Sequence, residues 1–351
     1  MKTKHIKKIF LLLIPLVFAF ILSGCGGGGG GSSSPASPSP STNTYTTGGY
    51  TFGIAIDASG NVWVANGASS IVELNGLTGA IISSQSFPLG TVMQDIAIDG
   101  NGNVWVGNNG NTSSVTELNS STGAIIGTYT VGINGPVAIA IDASGNVWVV
   151  NNGNGSTANV VELNGSTGAV INTYTAGGSP AGIAIDGSGN VWVTNNGPGT
   201  VTELSPTGAI IGTYTVGYLP VGIAIDGSGN VWVVNYGNGT AGTASGDSNV
   251  VELNGSTGAI IGTYVAGSYP WDIAIDGSGN VWVGNYAGDS GNGTVTELSP
   301  TGATLGTYTA AYPASIAIDG SGNVWVGNGL NVLELVHAAT AVKTPLVLQP
   351  K

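Results

Sequence analysis

Charge is what this chain of 351 residues has least of: Lys and Arg number 6 and Asp and Glu 18, together 7% of the sequence, where a soluble domain usually carries about a quarter. The basic residues all lie at the ends, as Lys2, Lys4, Lys7, Lys8, Lys343 and Lys351. From Asn43 to Val342 there is no cation, which excludes phosphate neutralisation by the body and with it binding to nucleic acid or to an anionic membrane surface. Disorder driven by charge is also excluded, because 42% of the chain is apolar. A single cysteine, Cys25, rules out an internal disulfide. The two histidines are His5 and His337. No stretch shows helical apolar spacing, and the 61 glycines follow no period of three, so collagen is excluded too.

Four lysines precede the apolar run Ile9 to Leu22, which is too short to span a bilayer comfortably and reads as the core of a secretory signal. The Leu22-Ser23-Gly24-Cys25 that follows resembles the lipobox of bacterial lipoproteins. That resemblance implies cleavage before Cys25 and its lipidation, and hence an extracytoplasmic address in the bacterial cell envelope, which in a Gram-negative cell is the outer membrane or the cell surface. Residues 1–24 are then the signal peptide and 25–42 a tether, with six glycines from Gly26 to Gly31 followed by a Ser/Pro stretch.

Internal repetition predicts the fold. One phrase recurs seven times, with Ile-Ala-Ile-Asp at Ile54–Asp57, Ile96–Asp99, Ile139–Asp142, Ile183–Asp186, Ile223–Asp226, Ile273–Asp276 and Ile316–Asp319. Each copy runs through a Gly/Ser/Asn turn into Asn-Val-Trp-Val, and the aspartates are spaced by 42, 43, 44, 40, 50 and 43 residues. Four short strand patterns separated by turns fill each unit, which is the make-up of a propeller blade. An all-β, seven-bladed β-propeller over residues 43–337 follows, with 338–351 as a C-terminal tail. The Asn43-Thr44-Tyr45-Thr46 segment matches fourth strands such as Asn172-Thr173-Tyr174-Thr175, yet it precedes the first unit, while the seventh unit has no fourth strand. The N-terminal strand is therefore expected to close the last blade and remove an open sheet edge.

The phrase Gly-Ile-Ala-Ile-Asp-x-x-Gly-Asn-Val-Trp-Val resembles the repeat of NHL-type propellers and of the streptogramin lyase family; the count of seven favours the latter. That resemblance implies a histidine base with a divalent metal. With His5 in the signal and His337 beyond the last strand, lyase chemistry of that kind lacks its base.

Fourteen acids belong to the repeat. The seven aspartates are expected to bond backbone N–H groups of their own turns. Asp99-x-Asn101-x-Asn103 opens like a calcium loop, but Val104 stands where such a loop needs glycine. The seven glutamates, Glu73 to Glu334, have no cation to pair with and should meet water or accept hydrogen bonds. Asp95, Asp247, Asp272 and Asp289 remain. Asp95 and Asp272 fall just before an innermost strand, so both are expected at one mouth of the channel, the one place where a divalent metal could be held. Loops on the same face carry Tyr218, Tyr236, Tyr269, Trp271 and Tyr286, and aromatic rings beside amides suit glycan, peptide or protein contact.

The sequence thus points to a monomeric, lipid-anchored, non-catalytic binding or interaction module whose partners are envelope proteins, peptides or glycans. It is expected to meet the membrane through lipidated Cys25 only. A metal-assisted lyase or lactonase and a structural spacer of the envelope are the alternatives.

Overall fold

In the computed structural model, residues 39–342 are described, apart from 68, 88–90, 111, 131, 154–157, 238–247 and 287–292. Cys25, Asp247 and Asp289 lie outside these. The described residues form seven four-stranded antiparallel sheets. Blades 1 to 6 are residues 51–86, 91–129, 136–174, 180–215, 220–264 and 270–309. Blade 7 combines Pro313–Ile318, Val324–Asn328 and Asn331–Leu335 with the N-terminal strand Thr42–Thr46. Each blade's innermost strand meets those of both neighbours, and 313–318 meets 51–56, so the ring closes as expected.

Closure is specified by side chains as well as by backbone. Tyr45 pairs in register with Val332, its hydroxyl donates to Glu334 Oε2 at 2.8 Å, and Asn43 Nδ2 donates to the same oxygen at 2.9 Å. Tyr45 also stacks on Trp325, with ring centroids 5.7 Å apart. The hydroxyl bond and the stacked ring are the contacts that the outer strands of blades 2 to 6 make within their own sheets.

Blade 3 illustrates that shared network. Ala140 faces Trp148 across the strand pair and Ile139 faces Val149, so small and large residues alternate between the faces of the sheet. Asp142 Oδ1 accepts the Ser144 and Asn146 N–H groups at 2.8 and 2.9 Å, the turn that the sequence predicts. Its Oδ2 accepts the Trp148 indole N–H at 3.0 Å. A buried tryptophan must place its donor, and this carboxylate receives it in all seven blades. Glu162 is buried and fully engaged, taking Asn146 Nδ2 at 3.0 Å on one oxygen and the Tyr174 hydroxyl at 2.7 Å on the other. Trp148 and Tyr174 stack at 5.2 Å.

Tyr174 then reaches the next blade. A Cβ built on Gly208 would stand 1.8 Å from Tyr174 Cε1, so only glycine fits beneath the ring. The same wedge joins Tyr129 to Gly168, Tyr214 to Gly258, Tyr264 to Gly302 and, across the closure, Tyr45 to Gly79. Blade 1 is the exception. Gln85 occupies the tyrosine position, Ser83 satisfies Glu73 instead at 2.8 Å, and Gly123 in blade 2 has open space above it. Behind blade 7 the wedge takes another form, because Ala338 and Ala339 of the final segment pack with Tyr308. That segment is expected as a tail, but its first part is bonded: Ala339 N–H donates to Gly322 O at 3.0 Å, and Thr340 N–H to Asp276 Oδ2 at 3.1 Å.

Candidate functional site

The loops entering and leaving the inner strands opposite the Asp turns surround one mouth of the central channel. A cavity of about 460 Å³ opens there, and Asp95, Trp271, Asp272, Gln94, Asn152 and Asn196 supply its main functional side chains. Asp95 and Asp272 thus come to the same mouth, as their positions in the repeat suggest.

Both sit at bulges in the inner strand, where register shifts between Met93 and Ile96 and between Pro270 and Asp272. Bulges re-aim side chains, and here they turn each carboxylate onto the seam with the next blade. Asp95 Oδ1 accepts the N–H of Ile96 at 2.8 Å, and its Oδ2 accepts the N–H of Ile139 in blade 3 at 2.8 Å. Asp272 repeats this with Ile273 and with Ile316 of blade 7, both at 2.9 Å. The two acids are therefore staples between neighbouring blades as well as part of the lining. Other seams manage without a carboxylate. At Gly182 the backbone N–H donates to Thr194 Oγ1 at 2.7 Å, and that hydroxyl donates to Val221 O at 2.8 Å. At Gly222 an added Cβ would lie 2.8 Å from Trp271 O.

Burial dominates the electrostatics. It pushes the Asp95 carboxyl up to about 6 against the pull of its two backbone bonds. The Asp272 carboxyl rises to about 7, with burial as the main cause and the charge of Asp95 adding to it.

The loop aromatics form a continuous row across blades 5, 6 and 7. Tyr236 lies 4.9 Å from Tyr269 and meets Trp271 edge-on at 5.4 Å; Trp271 is 6.1 Å from Tyr286, which is 5.5 Å from Tyr312. Tyr269 and Tyr312 adopt left-handed backbone at φ 52° and 50°, each just before a proline. Ser179 and Leu219 do the same in equivalent loops, so this is the geometry of the crossover and not a local distortion. Trp271 is 40% exposed and belongs to both the row and the cavity, whereas the seven repeat tryptophans are buried. Tyr218 is 55% exposed and takes no part in the ring contacts among the described residues. Gln94, Asn152 and Asn196 in the lining were not singled out from the sequence. Two of them follow the repeated strand-ending asparagine, which is the signal that could have marked them.

A divalent metal, which the streptogramin lyase resemblance implies, does not fit this donor set. All four carboxylate oxygens already accept backbone N–H bonds, and burial favours the protonated acids. Among the described residues, no three His, Cys, Asp or Glu side chains converge.

Ring and repeat network together define a seven-bladed β-propeller of the streptogramin lyase-like fold. The solved structures it is similar to agree in fold. Virginiamycin B lyase from Staphylococcus aureus aligns with a TM-score of 0.70 at 19% identity, covering 84% of this chain and 99% of that one. A structure described as streptogramin B lyase aligns at 0.71 with 18% identity, over 86% and 99% of the two chains. A protein of unknown function from Bacteroides caccae aligns at 0.53 with 15% identity, over 71% and 93%. No protein-family model matches the chain, and no curated protein matches it in sequence.

Proposed function

We propose that this propeller is a lipid-anchored, extracytoplasmic binding module whose aromatic mouth takes an uncharged glycan or peptide segment without transforming it. The observation that carries this reading is the row from Tyr269 to Tyr312 running past the cavity through Trp271. Aromatic faces beside amides such as Asn152 and Asn196 offer apolar contact with a few directional hydrogen bonds, the usual make-up of a ligand cleft. The absence of Lys and Arg from Asn43 to Val342 disfavours anionic ligands. Asp95 and Asp272 serve the seams in this reading, and among the described residues of the lining there is no other carboxylate and no histidine to act as a base.

A lyase or lactonase reading draws on the likeness to virginiamycin B lyase alone, and that likeness is one of fold. Trp271 provides the test, since it is the one tryptophan of eight outside the buried repeat set. Iodide-quenchable fluorescence should therefore report the mouth. Titration with soluble peptidoglycan fragments, neutral oligosaccharides and peptides should protect it for at least one class, and Tyr269→Ala should weaken that binding about tenfold, in line with loss of an aromatic anchor. Turnover of lactone or streptogramin substrates, or no protection by any class, would overturn the proposal.

A further inference from the structure

The face opposite the aromatic mouth carries an apolar girdle that the repeat does not need for its core. Register places it. In blade 3, Val170 at the start of the outer strand pairs with Leu163, Leu163 with Val147, and Val147 with Ile141, beside the Asp142 turn. The outer strands of blades 1 to 6 thus begin at the Asp-turn face. Their first residues are exposed and apolar, with Ile81 and Ile82, Ile125 and Ile126, Ile210 and Ile211, and Ile260 and Ile261 as pairs. Blades 3 and 6 contribute one residue each, Ile171 and Leu305. Leu77 projects further, 92% exposed in the blade 1 turn Asn75-Gly76-Leu77-Thr78, where equivalent turns carry Ser166 and Ser256.

Blade 7 interrupts the girdle, and the interruption is where the chain arrives. Thr42 pairs with Leu335 and Leu335 with Val324, so the N-terminal strand also begins at the Asp-turn face. Sixteen residues, Gly26 to Ser41, separate Cys25 from that point. A connection of that length reaches at most roughly 60 Å, which keeps the face within reach of whatever Cys25 is attached to. Leu77, Ile81 and Ile82 belong to the blade next to the arrival point.

We propose that the Asp-turn face is a lipid-docking surface: Leu77 and the isoleucine girdle rest in the interfacial layer of a zwitterionic bilayer and point the aromatic mouth away from it. This rests on the lipid-anchored reading above and extends it, because Cys25 alone would fix the chain to the membrane without orienting the ring. An annulus of apolar points, contributed by separate blades at one level, suits a flat soft surface. Interfacial binding grows with the apolar area inserted. Charge selects the lipid. The turn aspartates lie at this face and no Lys or Arg occurs from Asn43 to Val342, so anionic headgroups are repelled.

The test uses the full chain in phosphatidylcholine vesicles, with single Leu77→Cys, Ile82→Cys or Ser86→Cys substitutions carrying an environment-sensitive dye and the unsubstituted chain as the labelling blank. Ser86 is exposed at the other end of the strand that bears Ile82. Dyes at 77 and 82 should be quenched by lipid-borne nitroxides and the dye at 86 should not, and quenching should weaken when phosphatidylglycerol replaces phosphatidylcholine. Adding Leu77→Ser to the Ile82→Cys chain should lower the docked-to-undocked ratio about tenfold, as expected for losing one inserted leucine. Dyes at 77 and 82 that stay as accessible as at 86 in a membrane-bound chain would overturn the docking face and leave the anchor standing. Concentration-dependent disulfides between Leu77→Cys copies without lipid would assign the face to self-association instead. A chain found only in the soluble fraction would refute the anchor; quenching on added vesicles is then read by itself, and its absence refutes the docking face as well.

Discussion

Acidification from pH 7.5 to 5 should make this protein more stable, the reverse of what a protein rich in ion-paired carboxylates does. With no Lys or Arg from Asn43 to Val342, the buried acids have hydrogen bonds but no cations. Burial is the largest influence on Asp95, Asp272, Glu73, Glu117, Glu203, Glu252 and Glu297, and it raises all seven. Asp95 titrates at about 6 and Asp272 at about 7 when folded, against about 4 in an unfolded chain. Between about pH 4 and about pH 7 the folded state therefore holds protons that the unfolded state has released. Stability must then fall as pH rises through that window and recover as pH is lowered. From pH 7.5 to 5, linkage assigns roughly 1.5 kcal/mol to Asp95 and roughly 2.5 kcal/mol to Asp272. For a ring of this size that is a rise in Tm of roughly 5 to 10 °C, and the five glutamates act in the same direction. Thermal unfolding by circular dichroism at pH 7.5, 6 and 5 measures it. The double variant Asp95→Ser with Asp272→Ser, which installs the residue found at Ser315 in the equivalent position, should flatten the dependence. A Tm that declines steadily from pH 7.5 to 5 would refute the reasoning.

Two further predictions concern the seams and the closure. Gly123 and Gly168 share left-handed backbone, at φ 68° and 65°, but only Gly168 lies under a tyrosine, with Tyr129 Cε1 1.7 Å from an added Cβ. In urea unfolding, Gly123→Ala should cost about 1 kcal/mol of backbone strain and Gly168→Ala roughly 1 to 3 kcal/mol more from the displaced ring; equal costs would mean that the tyrosine is not a wedge. Removing residues 41–46 strips the strand that bonds Glu334 and covers Trp325, and should lower Tm well beyond removing 340–351, which loses the Thr340 bonds to blade 6. The reverse order would make the final segment the true clasp.

Much of this architecture is legible in the letters, for reasons the blades make plain. The repeated Asp, Asn, Val and Trp act within about ten residues of one another, through a turn and one strand pairing, so local spacing reveals them. Closure was readable because Asn43-Thr44-Tyr45-Thr46 is spelled like an outer strand and stands where none is needed. Partnerships that cross between blades were not readable. Nothing in the sequence says that Tyr174 overlies Gly208, or that Asp95 reaches an N–H group 44 positions further on. The glutamates illustrate the boundary: the lack of cations predicts hydrogen bonds, but only the fold brings an asparagine to one oxygen and a tyrosine to the other at Glu117, Glu162, Glu252 and Glu297. At the mouth, the sequence places Asp95, Asp272 and Trp271 together; their division into seam staples and an exposed ring depends on the bulges. Tyr218 stands apart because it lies one position earlier in its crossover, where blade 6 has Ser268, and the left-handed position of Tyr269 is held there by Leu219.

The clasp at Tyr45, Glu334 and Trp325 is assembled from the same parts as the links it joins. A chain built this way can gain or drop a whole repeat unit without inventing a new ending, since the first ribbon would find the same acceptor and the same ring at whichever unit came last, and the same glycine in the first blade. Circumference is thereby separated from sealing, and the size of the hub becomes a matter of how many copies are strung together.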